Sequence, residues 1–264
     1  MTSFLADNAR PLYEGITRYL GDRLAVPAEL EAGIPLEEQR RRLDAPAFDL
    51  AFLCGWPYTQ QHDRPDSPIE LLCAPVMAGP RYGAGPVYFT DVIVRHDHPA
   101  RAFADLRGAT WSFNNPGSHS GYNVVRHHLL ELGETRGYFG RVVCGGSHQG
   151  SIRLVLDGGI DAAGVDCTVL ETDVTARPEL ATALRTIAVL GPSPIPPVVV
   201  PRALDPAQKA RLQALLLGMS EDPDGRAVLA AGRMAGFVPV RDADYDPIRA
   251  MARRAEAAGF LTLR

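Results

Sequence analysis

Trp111-Ser112-Phe113-Asn114-Asn115-Pro116-Gly117-Ser118-His119-Ser120-Gly121-Tyr122 is the stretch whose reading decides the fold. Residues 110–113 read as a short apolar strand, the Asn/Pro/Gly run as a turn, and residues 118–132 as a helix. Strand, turn and helix in that order form the unit from which α/β sheets are built. The first N–H groups of such a helix have no partner inside it, and the helix dipole adds partial positive charge there. Small residues let an oxyanion approach the backbone, and Ser118 and Ser120 add hydroxyl donors. The turn is therefore suited to a phosphate-type anion. No Gly-Lys-Ser/Thr follows, so it is not a P-loop. Plain N-capping by Ser118 accounts for the same local pattern.

A second turn repeats the theme at Cys144-Gly145-Gly146-Ser147-His148-Gln149-Gly150, between a strand over 140–144 and a helix over 147–156. In a doubly wound sheet both turns fall at the carboxyl ends of strands, where ligands collect. Strands are also expected over 2–5, 26–31, 48–54, 69–77, 87–94, 160–165 and 184–190. Helices are expected over 11–24 and 36–43, and again over 206–217, 222–231 and 247–258 in a helical C-terminal third. The segment 191–197, with prolines at 192, 194, 196 and 197, suits neither a helix interior nor a central strand. Residues 87–94 and the proline-rich stretch 192–200 read as crossings between two lobes. The expected architecture is thus α/β and two-lobed, each lobe a mostly parallel sheet flanked by helices. Residues 1–92 plus 193–264 form the first lobe and 93–192 the inserted one, with a ligand in the cleft between them. At the end of the 48–54 strand, Trp56 and Tyr58 form a candidate lid, and Tyr88 stands at the first crossing. Core packing is the alternative for all three aromatics.

The composition is that of a water-soluble globular chain: 264 residues, 46% hydrophobic and 22% charged. A formal net charge of −4 argues against a general nucleic-acid binder, which needs a basic face. No apolar run approaches the ~20 residues that span a membrane. The N-terminus shows no basic start followed by a long apolar stretch, so no secretory signal is visible. The expectation is a cytoplasmic protein as the sequence stands, or a periplasmic one if its start is truncated. The four cysteines form no CxxC pair, and Cys54, Cys144 and Cys167 lie in or beside apolar runs, as small buried hydrophobes do. The histidines show no HExxH spacing, and neither a metal nor a cofactor is expected.

Three stretches resemble the phosphonate-binding family of ABC-transporter solute-binding proteins, which has the type 2 periplasmic-binding fold. They are Asp105-Leu106-Arg107-Gly108 through Ser118-His119-Ser120-Gly121-Tyr122, then Gly146-Ser147-His148 through Asp157-Gly158-Gly159-Ile160-Asp161-Ala162-Ala163, and Phe48-Asp49-Leu50-Ala51-Phe52-Leu53. The resemblance covers roughly residues 45–200. It implies that Ser118, His119, Ser120 and Gly121 hold the oxyanion and that His148 is a further donor. Tyr58 and Tyr88 would approach from the first lobe and the hinge. It also implies a monomer that closes about a hinge on a small anionic ligand and delivers it to a permease. Two departures stand out. The family has Ser or Thr where His119 stands. Relatives that bind aminophosphonates use acids near the second crossing, whereas residues 194–198 here hold none, and Asp166 is the nearest carboxylate by motif position. Cytoplasmic enzymes of menaquinone and thiamine-pyrimidine synthesis share the fold, though their motifs are not found. In that alternative His119 or His148 is the general base. An intracellular ligand sensor is a third reading.

Overall fold

The computed structural model describes residues 1–263. Its strands in chain order are β1 (Thr2–Ser3), β2 (Ala51–Phe52), β3 (Ile69–Met77), β4 (Val87–Arg95), β5 (Thr110–Phe113), β6 (Arg141–Cys144), β7 (Ala162–Asp166), β8 (Leu184–Pro194), β9 (Val198–Pro201) and β10 (Met234–Val238). The helices are α1 (Arg10–Leu24), α2 (Leu36–Asp44), α3 (Gly55–His62), α4 (Val124–Glu131), α5 (His148–Leu156), α6 (Cys167–Ala176), α7 (Leu180–Ala183), α8 (Pro206–Leu217), α9 (Pro223–Ala231) and α10 (Asp246–Ala257). They form two compact units. The first comprises Met1–Val87 and Pro194–Asp246; the second comprises Tyr88–Ser193 and resumes at Pro247.

The first unit holds a five-stranded sheet in the order β1-β2-β9-β3-β10. Only the β1/β2 pairing is parallel; β2/β9, β9/β3 and β3/β10 are antiparallel. The expected mostly parallel sheet is therefore corrected here. A parallel neighbour needs a crossover connection. Instead β3 leads into the excursion 88–193, and the chain returns as β9 running the other way between β2 and β3. The interior strand is apolar throughout, with Val198, Val199 and Val200 fully buried. The expected strand over 26–31 is reduced to one bridge, Thr2 to Glu31. Ala25 in the left-handed conformation (φ 56°) ends α1, and Pro27 has no N–H for a ladder. Residues 55–62 form α3, where the sequence reading saw a strand end and a lid. Pro57 lies in its first turn, where a missing N–H does no harm. The strand β10 falls in the third read as wholly helical.

The second sheet has the order β6-β5-β7-β4-β8. β5 pairs in parallel with both β6 and β7, and β4 runs antiparallel to β7 from Thr90/Asp166 to Val94/Ala162. β5-α4-β6 is thus a right-sized βαβ unit, as its alternating pattern predicts. Small residues let β7 sit centrally: a Cβ on Gly164 would lie 3.1–3.3 Å from Trp111, Val125 and Thr90 side chains. On one face Ile152 and Val155 of α5 pack with Ile93, Ala163, Val165 and Leu184. Each fully buried aliphatic side chain contributes ~1.5–3 kcal/mol. α5 ends because Gly158 takes φ +71° and Gly159 N–H closes on Leu154 O at 3.1 Å. β6 lies at the sheet edge, which leaves Cys144 exposed instead of buried; Cys73 and Cys167 are buried, and all four cysteines are free.

The extents of the two units differ from the expected lobes at three places, one of them Ser193, which groups with the second unit. Residues 88–92 pack with the second unit. So do those from 247 onward, which the sequence reading gave to the first. The attachment is polar as well as apolar. Arg126 Nη1 donates to Phe260 O (3.2 Å) and Leu261 O (3.1 Å), and Leu263 N donates to Tyr122 Oη (3.1 Å).

Candidate functional site

The first turn after β5 is not α-helical. Residues His119–Asn123 form a single π-helical turn, and α4 proper begins at Val124. Ser118 is the cap: its backbone is extended (φ −78°, ψ 137°) and its Oγ accepts from Gly121 N at 3.1 Å. Asn123 N donates to Ser118 O at 3.1 Å, which closes the wide turn. Wide turns of this kind are frequent at functional sites. Gly121 is required by contact, since a Cβ there would lie 2.1 Å from Asn114 Oδ1. Ser118, His119, Ser120 and Gly121 are all buried.

The hydrogen bonds fix both imidazole tautomers. Arg126 Nη2 donates to Asn123 Oδ1 at 3.1 Å, so the Asn123 amide must point its Nδ2 at His119 Nδ1, 3.2 Å away. His119 Nδ1 therefore accepts, and its proton sits on Nε2, 3.0 Å from Ser193 Oγ. His148 repeats the pattern. Its Nδ1 accepts the long 3.5 Å bond from Asp166 N, so Nε2 carries the proton toward Ser120 Oγ at 3.3 Å. Burial pushes the pKa of each ring down to about 3, with the His127 charge adding to the effect at His119. Both rings are neutral at pH 7, so neither offers a charge-assisted hydrogen bond.

The consequence is chemical. Ser118, Ser120 and Ser193 each accept a hydrogen bond through Oγ, from Gly121 N, His148 Nε2 and His119 Nε2. All three residues are buried. Among the described residues, none of the three hydroxyl protons is given to an acceptor. A buried donor without an acceptor costs ~1–3 kcal/mol. Such a cluster suits a partner that brings acceptors and no donors, as an oxyanion does.

Asp166 stands beside this cluster at the end of β7 and caps α6. Its Oδ1 accepts from Thr168 N (2.9 Å) and Thr168 Oγ1 (2.7 Å). Burial lifts its pKa to about 6 against those bonds, and the Asp91 charge lifts it further. Tyr88 is buried with its ring 6.3 Å from His119. The second unit thus assembles Ser118, His119, Ser120, Gly121, His148, Tyr88 and Asp166. The remaining two predicted residues lie in the first unit, on α3. Tyr58 is fully buried, its Oη donates to Asp242 Oδ1 at 2.8 Å, and its ring meets Tyr245 at 4.9 Å; Trp56 is half-buried. Sequence reasoning missed Ser193, Asn123 and Arg126. Asn123 and Arg126 are three apart on one helix face, a readable signal. Ser193 lies in the proline-rich segment, where nothing local marks it. Among the described residues no group of three or more His, Cys, Asp or Glu side chains is placed to hold a metal ion.

Known proteins share this fold. The model of the family described as "ABC transporter, phosphonate, periplasmic substrate-binding protein" matches residues 1–245. Among solved structures, a binding-protein component of an ABC phosphonate transporter from Pseudomonas aeruginosa is 19% identical with a TM-score of 0.84, covering 97% of this chain and 87% of that one. PhnD1 from Prochlorococcus marinus, solved with methylphosphonate, is 15% identical with a TM-score of 0.83 and covers 97% of each chain. XAC2383 from Xanthomonas citri, bound to chloride, is 20% identical with a TM-score of 0.73, covering 97% of this chain and 98% of that one. At these identities the likeness to each structure is one of fold.

Proposed function

Because the chain belongs to the family of phosphonate ABC-transporter periplasmic substrate-binding proteins, we propose that it captures a small phosphonate-type oxyanion on the turn Ser118–Gly121. The observation that carries this reading is the set of buried serine protons lacking acceptors. Ser118 and Ser120 donate to the anion together with backbone N–H groups of the turn, and His148 holds Ser120 in the donating orientation. The methylphosphonate in the Prochlorococcus marinus relative supports a ligand with a tetrahedral phosphorus head and a short substituent. In this reading the protein closes about a hinge on its ligand, the mode of two-unit binding proteins. The protein acts as a monomer in the periplasm and hands its ligand to a permease. No helix among the described residues is long and apolar enough to cross a membrane.

Titration calorimetry with methylphosphonate, phosphite, phosphate and methanesulfonate tests the proposal. Ser118→Ala plus Ser120→Ala removes two hydroxyl donors to a charged group. At ~1.5–3 kcal/mol for a hydrogen bond to a charged group, less any water that replaces it, the double variant loses at least tenfold in affinity. Unchanged affinity sinks the assignment of these serines.

A pH profile tests Asp166. Methanesulfonate keeps one negative charge throughout, so any pH dependence belongs to the protein. His119 and His148 titrate near pH 3, out of range, whereas Asp166 titrates near 6. A bound anion disfavours ionised Asp166. Binding above pH 6 therefore takes up a proton, and affinity falls by up to tenfold per unit as pH rises. Asp166→Asn is expected to flatten the profile; an equal slope in the variant would assign the proton elsewhere.

A further inference from the structure

We infer that Ser193 is a third hydroxyl donor to the bound anion, and that Arg126, Asn123 and His119 form a chain of positioning residues which turns its proton toward the ligand. This rests on the anion-capture reading above and adds a residue that neither the motif resemblance nor the helix-start argument supplies. Ser193 is 3% exposed and lies at the end of β8, far in sequence from the serine turn. It is brought there by His119, which is itself the middle residue of that turn. The His119 ring reaches from the anion turn to Ser193 Oγ at 3.0 Å.

The direction of every bond in the chain follows from its first member. Arginine can only donate. Arg126 Nη1 is committed to the carbonyls of Phe260 and Leu261, and Nη2 gives its bond to Asn123 Oδ1. Asn123 Nδ2 must then donate, and it has two acceptors in reach: His119 Nδ1 at 3.2 Å and Ile248 O at 3.4 Å. With Nδ1 filled, His119 donates from Nε2, Ser193 accepts, and the serine proton is released to point elsewhere. Had Asn123 been turned over, His119 would have carried its proton on Nδ1. Ser193 would then have donated to Nε2 and presented lone pairs to the site. An anion would meet repulsion there. The chain therefore decides whether Ser193 offers a proton or lone pairs to a negative ligand.

The His148–Ser120 pair acts the same way, with Asp166 N in the place of Asn123. Two neutral imidazoles, each fixed by an N–H from behind, thus leave two serine protons free to donate. This arrangement explains the departure at position 119. A Ser or Thr there gives the anion its own hydroxyl; His119 is long enough to engage a hydroxyl from another strand in its stead.

The test is calorimetry with methylphosphonate on the full chain. Ser193→Ala is expected to weaken binding at least tenfold. His119→Phe, which keeps a ring but has no donor, should match it within a few-fold. The pair combined should be no weaker than the worse single variant, because both remove one bond. His119→Gln retains an N–H near the Nε2 position and should bind more tightly than His119→Phe, and it serves if the latter fails to fold. In the wild type, the ¹⁵N imidazole spectrum should show the His119 proton on Nε2. Three results overturn the inference: a proton on Nδ1, additive losses in the double variant, or wild-type affinity in Ser193→Ala while Ser118→Ala plus Ser120→Ala still weakens binding. The last leaves the anion-capture reading intact. A wild-type protein that binds none of methylphosphonate, phosphite or phosphate overturns both.

Discussion

Gly150→Ala is expected to lower the unfolding temperature by several degrees and to remove anion binding. A Cβ at position 150 would stand 2.1 Å from Gly145 O and 3.1 Å from Gly145 C. Both are backbone atoms, so no side chain can swing aside, and the turn from Gly145 to Gly150 must open. That turn is held by Ser147 Oγ, which accepts from Gly150 N at 2.9 Å, and by Gly145 N on Phe113 O at 2.7 Å. It carries His148, and the next residue, Ser151, bonds Ser112 Oγ at 2.9 Å in the core. Overpacking of this kind costs ~1–3 kcal/mol and more when backbone must move. At roughly 2–4 °C per kcal/mol for a domain of this size class, calorimetric scanning resolves the effect readily. Gly146 offers the contrast. It has φ +75° but open space around its Cβ position, so Gly146→Asn costs about 1 kcal/mol or less and leaves His148 in place. A wild-type melting temperature for Gly150→Ala would show that the turn is looser than its contacts imply.

The second large effect is acid lability. His119 and His148 are fully buried and neutral, with pKa values near 3 against an ordinary 6.5. The unfolded chain therefore binds protons that the folded one refuses. The stability concerned is fully present above about pH 6.5 and is lost as pH falls toward 3. At pH 5 each ring lies 1.5 pH units below its unfolded pKa, so the pair removes ~4 kcal/mol. His127 and His128, also pushed down by burial, act with the same sign. Asp166 opposes them. Its folded pKa of about 6 lies above the ordinary 3.8, so protonating it between pH 6 and 5 returns ~1.4 kcal/mol. The net loss from these three groups is ~2–3 kcal/mol between pH 7 and 5. Denaturant titrations at the two pH values measure it, and equal midpoints would contradict the buried, neutral assignment. A bound anion restores part of the loss by mass action.

Much of this was legible in the sequence because it depends on local pattern. The strand-turn-helix order at Trp111–Tyr122, the Ser118 cap and the second turn at Gly146–His148 are readable from spacing alone, whereas Tyr88, expected at the hinge from the first lobe, groups with the second unit. What escaped is non-local. β9 and β10 were hidden because strand direction and pairing partner are set by where a chain returns, not by its composition. α3 was hidden by Pro57, which breaks a helix interior but suits a first turn. The π-helical turn at His119 brings Gly121 close to Asn114 across the turn, an approach that spacing does not mark. Ser193 is placed by a hydrogen bond spanning 74 residues, and no periodicity reports such a bond. The protonation states were also out of reach, since they depend on burial and on the amide of Asn123.

The attachment of residues 247–263 to the second unit separates the order of synthesis from the order of folding. A chain grows from its N-terminus, and domains tend to fold as they emerge. Residues 88–193 are made early, yet Arg126 finds its carbonyl acceptors and Tyr122 its amide donor only when residues 260–263 exist. Between the two come β9, α8, α9 and β10, which complete the other unit. A nascent chain stopped before residue 247 would thus own every serine and histidine of the site while Arg126 lacked those acceptors. The bonds that fix Arg126 and Tyr122 are made late in translation, by a segment far in sequence from the helix it braces.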